Sequence, residues 1–218
     1  MTAAGTALVR AVGLFNAGQV EHALACCSAG LADHPGDPGL LQMRASLLLS
    51  ADDPTGALAA IAPVLAAHPD HAPARRLADQ ATLRRAIQCI DQGRPAEAAG
   101  LLRALTVAQP AWVAAGFALA LAEEDLCNHD AAAAALQQVL ASDPGHAQAW
   151  LNLGLIEQAR GRLDAAVNAH AQAWAIRPLM LGRIAMALCS QRCGAVWIDD
   201  GALAVELSRR APAPASAV

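Results

Sequence analysis

Six cysteines, seven histidines and nineteen carboxylates are the side chains that could bind metal or react. Cys189 and Cys193 stand four apart, which places both thiols on one face of a helix. Two thiolates at that spacing supply half of a tetrahedral zinc site, and no second pair with suitable spacing completes it. Cysteine also packs as a small apolar residue, so a reduced, buried role is expected for this pair and for Cys26-Cys27. His129 gathers with Cys127, Glu123, Glu124 and Asp125 around one turn. A solvated turn whose acid or amide caps the next helix explains that cluster without a metal. His34 and His68 each precede a proline, where the end of a helix favours a partly charged imidazole. No glycine-rich phosphate loop, serine elbow or HExxH motif occurs. The chain is therefore read as a non-enzyme with no catalytic residue, no metal and no cofactor.

Bulk properties narrow the partners. The 218 residues are 56% hydrophobic and 16% charged, with a formal net charge of −4. That excludes a disordered, solvating chain and leaves one compact domain or a solenoid of helical pairs. All fifteen basic residues are arginine, a bias associated with GC-rich bacterial genomes, and no more than two are adjacent. Nucleic acid lacks its electrostatic footprint here. The start, Met-Thr-Ala-Ala-Gly-Thr-Ala-Leu-Val-Arg, has no basic region followed by an apolar stretch, and no apolar run reaches membrane-spanning length. With reduced thiols, these features predict a bacterial cytoplasmic protein that binds no membrane.

The elements that position these side chains come from a repeat. Pro35, Pro69, Pro110, Pro144 and Pro178 are separated by 34, 41, 34 and 34 residues, the odd interval being 34 plus two helical turns. Twelve residues before each stands an alanine: Ala23, Ala57, Ala98, Ala132 and Ala166. Twenty-four before each stands another small residue: Ala11, Ala45, Ala86, Ala120 and Gly154. Small side chains let two antiparallel helices approach, and the proline stops the second helix because it cannot continue the hydrogen-bond ladder. The period predicts repeats over 4–37, 38–71, 79–112, 113–146 and 147–180.

This pattern resembles the tetratricopeptide repeat. The last repeat carries it most fully, with Trp150, Leu153, Gly154, Gly161, Ala166, Ala173 and Pro178 at the family offsets. It departs at Glu157 and His170, which stand where aromatic residues are usual, and the first three repeats drift further at Arg10, Arg44 and Arg85. The resemblance covers about 4–180 and implies an all-α, right-handed α-α superhelix closed by a C-terminal capping helix. The seven surplus residues between repeats two and three fall within His71 to Ala78 and are expected to lengthen the first helix of repeat three to about 73–92, as a two-turn protrusion. A capping helix is expected over 179–191, then an extended segment from Cys193 to Gly201 around Trp197, a helix near 201–210, and a disordered tail over 211–218.

In such arrays the first helix of each pair lines a concave groove that holds a ligand, so the resemblance implies a protein or peptide partner. Mapping those positions onto this chain gives Leu8, Val12 and Phe15, then Gln42, Met43 and Ser46, then Leu83, Arg84 and Ile87. Phe117, Leu121 and Glu124 come next, with Gln148, Leu151, Asn152, Leu155 and Gln158 from the last repeat. Only Arg84 and Asn152 occupy positions of the family's carboxylate clamp, which argues against that mode. The groove is richer in apolar than charged side chains and suits an amphipathic helix or apolar peptide. The expected function is a non-catalytic adaptor. Alternatives are a recruiting domain of a glycosyl- or sulfotransferase-like enzyme, and a homo-oligomer that stacks its repeat ends.

Overall fold

Five turns between helices share one backbone feature. In each, one residue adopts the left-handed conformation: Gly18, Asp52, Gly93, Cys127 and Gly161 have φ between 58° and 75°. They recur at the same intervals as the prolines, and those at Gly18, Asp52, Cys127 and Gly161 reverse the chain between two helices that pack as a pair. Each second helix ends on the residue before the closing proline. His34, His68, Gln109, Asp143 and Arg177 all have φ between −135° and −138°, because proline bars its predecessor from the α region.

The computed structural model describes residues 3–190 and 200–211. Its helices are α1 (Ala3–Asn16), α2 (Val20–Asp33), α3 (Pro38–Ser50), α4 (Pro54–Ala67), α5 (Ala72–Asp91) and α6 (Pro95–Ala108). They continue as α7 (Val113–Asp125), α8 (His129–Ser142), α9 (Ala147–Ala159), α10 (Leu163–Ile176), α11 (Leu181–Ser190) and α12 (Asp200–Arg210). A 3₁₀ turn, Pro178–Met180, leads into α11. Among the described residues every regular element is a helix, so the all-α expectation holds. The expected extended segment falls outside the described residues, as do Cys193, Trp197 and the tail beyond Ala211; Gly201 is already in α12.

The small residues do what their spacing implies. All ten are buried. Gly154 shows why one of them has no side chain: a Cβ there would lie 2.3 Å from the buried His170 ring. Polar ends are closed locally, as where Asp37 accepts from the Leu40 amide and Asp53 from the Gly56 amide, both at 2.8 Å. Asn128 takes the expected cap position of α8 but turns away, donating instead to Glu123 Oε2 at 2.9 Å.

The helices divide into two compact units, Met1–Gln92 and Gly93–Val218. The division falls in the α5–α6 turn, inside the third predicted repeat. In the N-terminal unit α1 pairs with α2, α3 with α4, and α5 packs on α4 and α3. Its apolar cluster runs from Ala4 through Cys27, Leu40, Leu47 and Ile61 to Ala74 and Ala81. Cys27 is thus a core residue as expected, and burial pushes its thiol up to about 11, with Cys26 adding to the rise.

Helix α5 corrects one expectation. Its length is as predicted, yet its first turns do not protrude: Ala74 is 0% exposed and packs in the core. The reason lies in register. His71 caps α5 by accepting from the Ala74 amide at 3.2 Å, 34 residues after the Asp37 cap. Buried Ala74 and Ala81 likewise follow buried Leu40 and Leu47 by 34. The first part of α5 therefore continues the 34-residue period, and the surplus turns lie in its second part.

In the C-terminal unit α6 packs on α7, and α7 through α10 pack in sequence. One cluster joins Leu136, Val139 and Leu140 to Leu153 and Ile156; another joins Leu151 and Val167 to Met180, Ile184, Leu188, Leu203 and Leu207. The expected cap is built from both terminal helices, since α12 lies on α10 and α11 touches α9, α10 and α12. Arg210 ties α12 down through Asp164 at 3.3 Å and Asn168 at 3.4 Å. Cys189 is not buried as expected but exposed on α11.

Candidate functional site

Between α3 and α5 the N-terminal unit opens a cleft of about 490 Å³, lined by Ser46, Leu49 and Ser50 on one wall and Leu77, Gln80, Leu83, Arg84 and Ile87 on the other. Pairing at a spacing of 34 makes the walls: Ser46 with Gln80, Leu49 with Leu83, Ser50 with Arg84. Ser46 and Ser50 donate their hydroxyls backward, at 3.0 Å, to the carbonyls of Gln42 and Ser46. Their free lone pairs remain for a ligand. The Gln42 amide is held at 3.0 Å by the Pro38 carbonyl.

One end of this cleft is fastened to the left-handed turn at Asp52. Arg84 Nη1 lies 3.4 Å from Asp52 Oδ1, and Gln88 Nε2 donates to the Asp52 carbonyl at 3.0 Å. The surplus part of α5 supplies Gln88 and also Ile87, which is 42% exposed although apolar. Phe15, 37% exposed, stands on α1, the neighbour of α3. Met43 is half-buried against the core. Phe15, Gln42, Met43, Arg84 and Ile87 thus lie on α1, α3 and α5.

The C-terminal unit treats its predicted groove residues differently. Phe117 is half-buried and stacks on the His146 ring, with centroids 5.0 Å apart and planes 29° apart. Leu121 and Glu124 are half-buried on the same helix. Burial, with Asp125 adding to it and His129 opposing, raises the Glu124 carboxyl above its usual range. Leu151 and Asn152 are not open groove residues: they are 2% and 8% exposed. Leu151 is covered by Met180 and Ile184, and Asn152 Oδ1 accepts from Gln148 Nε2 at 2.7 Å. Gln148 in turn accepts from Arg183 of α11 at 3.1 Å. Gln158 is buried too, bridging His170 at 3.1 Å and the Ala187 carbonyl at 3.3 Å. Helix α11 covers this face of α9. A smaller cleft of about 340 Å³ stays open, formed by Leu151, Leu155, Arg183, Met186 and Ala187.

A third hollow, of about 590 Å³, lies at the turns and is lined by Cys127–Ala131, Arg160 and Arg162. Its charges neutralise one another, Arg160 reaching Asp130 at 2.7 Å and Glu157 at 2.8 Å. Glu123, one member of the predicted cluster around His129, is buried and held by Arg103 at 2.6 Å and by Asn128 at 2.9 Å. Among the described residues no group of three or more His, Cys, Asp or Glu side chains is placed to hold a metal ion. No described helix is long and apolar enough to cross a membrane.

The sequence model of the tetratricopeptide repeat matches residues 43–111 and 117–180, more than half of the chain. The chain belongs to the tetratricopeptide-repeat family. Its fold is similar to that of MamA 41-end from Desulfovibrio magneticus RS-1, at a TM-score of 0.62 and 19% identity over 81% of this chain and 96% of that one. A double mutant of MamA RS-1 gives a TM-score of 0.63, also at 19% identity, covering 81% of this chain and 96% of that one. YrrB, described as a TPR protein with an unusual peptide-binding site, matches at 0.59 and 17% identity over 79% of this chain and 85% of that one. No curated protein sequence matches the chain significantly.

Four of the residues that line the α3–α5 cleft are not among the predicted ones: Leu49, Ser50, Leu77 and Gln80. The signal for Leu77 and Gln80 is the 34-residue spacing from Met43 and Ser46, which the 41-residue proline interval hides. Arg183 and Met186 lie beyond the repeats that carry the motif and have no such signal.

Proposed function

We propose that this tetratricopeptide-repeat protein is a non-catalytic adaptor that takes a peptide segment of a partner protein into the cleft between α3 and α5. The observation that carries this reading is the cleft itself: apolar side chains from both walls, exposed Ile87, and the polar groups of Ser46, Ser50, Gln80 and Arg84 at its edges. Recognition sites are commonly apolar hollows with a few placed polar groups that fix orientation. A peptide-binding site is also reported for YrrB, which shares the fold. The thiols of Cys26, Cys27, Cys89 and Cys127, none of them in a disulfide, fit a reducing, cytoplasmic setting.

The test is selection of peptides from a random displayed library on the immobilised full chain, followed by affinity measurement on two variants. Ser46→Trp fills the cleft and Ile87→Glu charges its wall. Selected peptides should bind both variants at least about tenfold more weakly, the equivalent of about 1.4 kcal/mol. Unchanged affinities with unchanged helicity would place binding elsewhere.

A further inference from the structure

The α3–α5 cleft is part of a wider face, because α1 lies beside α3 just as α3 lies beside α5. The 34-residue register runs through all three helices, so equivalent positions form rows across them. One row is Leu8, Gln42 and Arg76; another is Val12, Ser46 and Gln80; a third is Asn16, Ser50 and Arg84. The rows change character in one direction. Helix α1 offers the exposed apolar residues Val12 and Phe15, α3 offers neutral polar Gln42 and Ser46, and α5 offers two arginines.

The cations are open to a partner. Arg76 precedes Gln80 and Leu83 by four and seven residues and so shares their face of α5. It is exposed, with no hydrogen-bond or ion-pair partner among the described residues. Arg84 meets Asp52 at 3.4 Å, but both side chains are more than half exposed. Such surface pairs exchange readily for a better carboxylate. None of the row positions carries an acid, so the α5 edge of the face is cationic although the whole chain is not.

We propose that this face of the N-terminal unit selects an extended acidic segment of a partner protein, with an apolar anchor on Val12 and Phe15 and carboxylates on Arg76 and Arg84. This deepens, and rests on, the peptide-binding reading above. The spacing comes from the fold. Packed helices lie about 8–10 Å apart, so stripes on α1 and α5 stand about 16–20 Å apart with α3 between them. An extended chain covers that distance in about five or six residues at roughly 3.3 Å each.

Four labelled synthetic peptides, blocked at both ends, test this with the full chain by fluorescence anisotropy. Each carries a Leu-Phe pair, a neutral Ser/Gln linker and a terminal pair. Three have five linker residues and end in Glu-Glu, Gln-Gln or Lys-Lys; the fourth ends in Glu-Glu after a one-residue linker. The long Glu-Glu peptide should bind at least about tenfold tighter than the Gln-Gln one, and the Lys-Lys and short-linker peptides should bind more weakly still. Raising the salt should shrink the Glu-Glu advantage. The double variant Arg76→Gln, Arg84→Gln, at exposed sites, should abolish that advantage, so that the Glu-Glu and Gln-Gln peptides bind it equally. Equal affinity for Glu-Glu and Gln-Gln peptides, or an advantage that survives the double variant, overturns the proposal. If binding is equal but lost in Ile87→Glu, the cleft reading stands and the acidic preference falls. If no peptide binds, the acidic preference falls and the library selection alone decides the cleft reading.

Discussion

His170 shows how one residue type reshapes a repeat. It stands where an aromatic ring is usual and is fully buried, with Gly154 leaving space for the ring. Its Nε2 donates to Gln158 Oε1 at 3.1 Å, which fixes the neutral tautomer and leaves buried Nδ1 without a partner. Burial lowers its pKa from 6.5 to about 4. Above pH 6.5 the ring is neutral folded or unfolded and contributes no pH dependence. As the pH falls towards 4 the unfolded chain binds a proton that the folded one refuses, so stability is lost, by roughly 3 kcal/mol in all. Below that the folded ring protonates too and the loss levels off. Chemical denaturation between pH 7 and 4 should show this decline, and His170→Phe should flatten it. An identical pH profile in the variant would mean that other groups govern the acid limb. The sequence shows that His170 departs from the family pattern, but its partner Gln158 reads as a groove residue there. The cover provided by α11 is a tertiary fact that no local pattern carries.

At the scale of elements, the helices are legible because one rule repeats: a small residue, a left-handed turn, a small residue and a proline. The 3.6-residue period explains why α5 absorbs the irregular interval. Seven residues turn a helix by about 700°, only about 20° short of two full turns. Both registers, 34 from α3 and 41 at the next proline, therefore place their residues on nearly the same face. Ala74 and Ala81 serve the first register, and Ala86 the second. The proline interval alone gives the number of surplus residues but not their place, which is why a leading protrusion is the expectation from sequence. Deletion of Thr82–Gln88, seven residues, should leave a helical protein that unfolds cooperatively, though without Leu83, Arg84 and Ile87 in the α5 wall of the cleft. Removing only Thr82–Ala86, five residues, rotates the remainder of α5 by about 140° and should cost several kcal/mol or abolish cooperativity. Indistinguishable melting of the two deletion variants would contradict the two-register account of α5.

At the scale of the whole molecule, the chain is two compact units with separate apolar clusters, and the boundary cuts a repeat that looks continuous in sequence. The sequence carries no sign of that boundary beyond the irregular proline interval, because a heptad surplus leaves the pattern of small residues intact. The far end holds one more trace of the period: Pro212 follows Pro178 by 34 residues, the interval found between three of the four pairs of successive closing prolines. Helix α12 is the element that makes the last core complete, since Leu203 and Leu207 are fully buried with Met180, Ile184 and Leu188. Leu207→Ala removes three buried heavy atoms and leaves a cavity, which should cost about 2–5 kcal/mol. If the units keep separate cores, that loss stays local. Amide hydrogen exchange should quicken across α9–α12, while α1–α4 keep their protection and peptides that bind the α3–α5 cleft keep their affinity. Equal loss of protection in both units would show that the chain unfolds as one cooperative body, and that the cleft depends on the terminal helices after all.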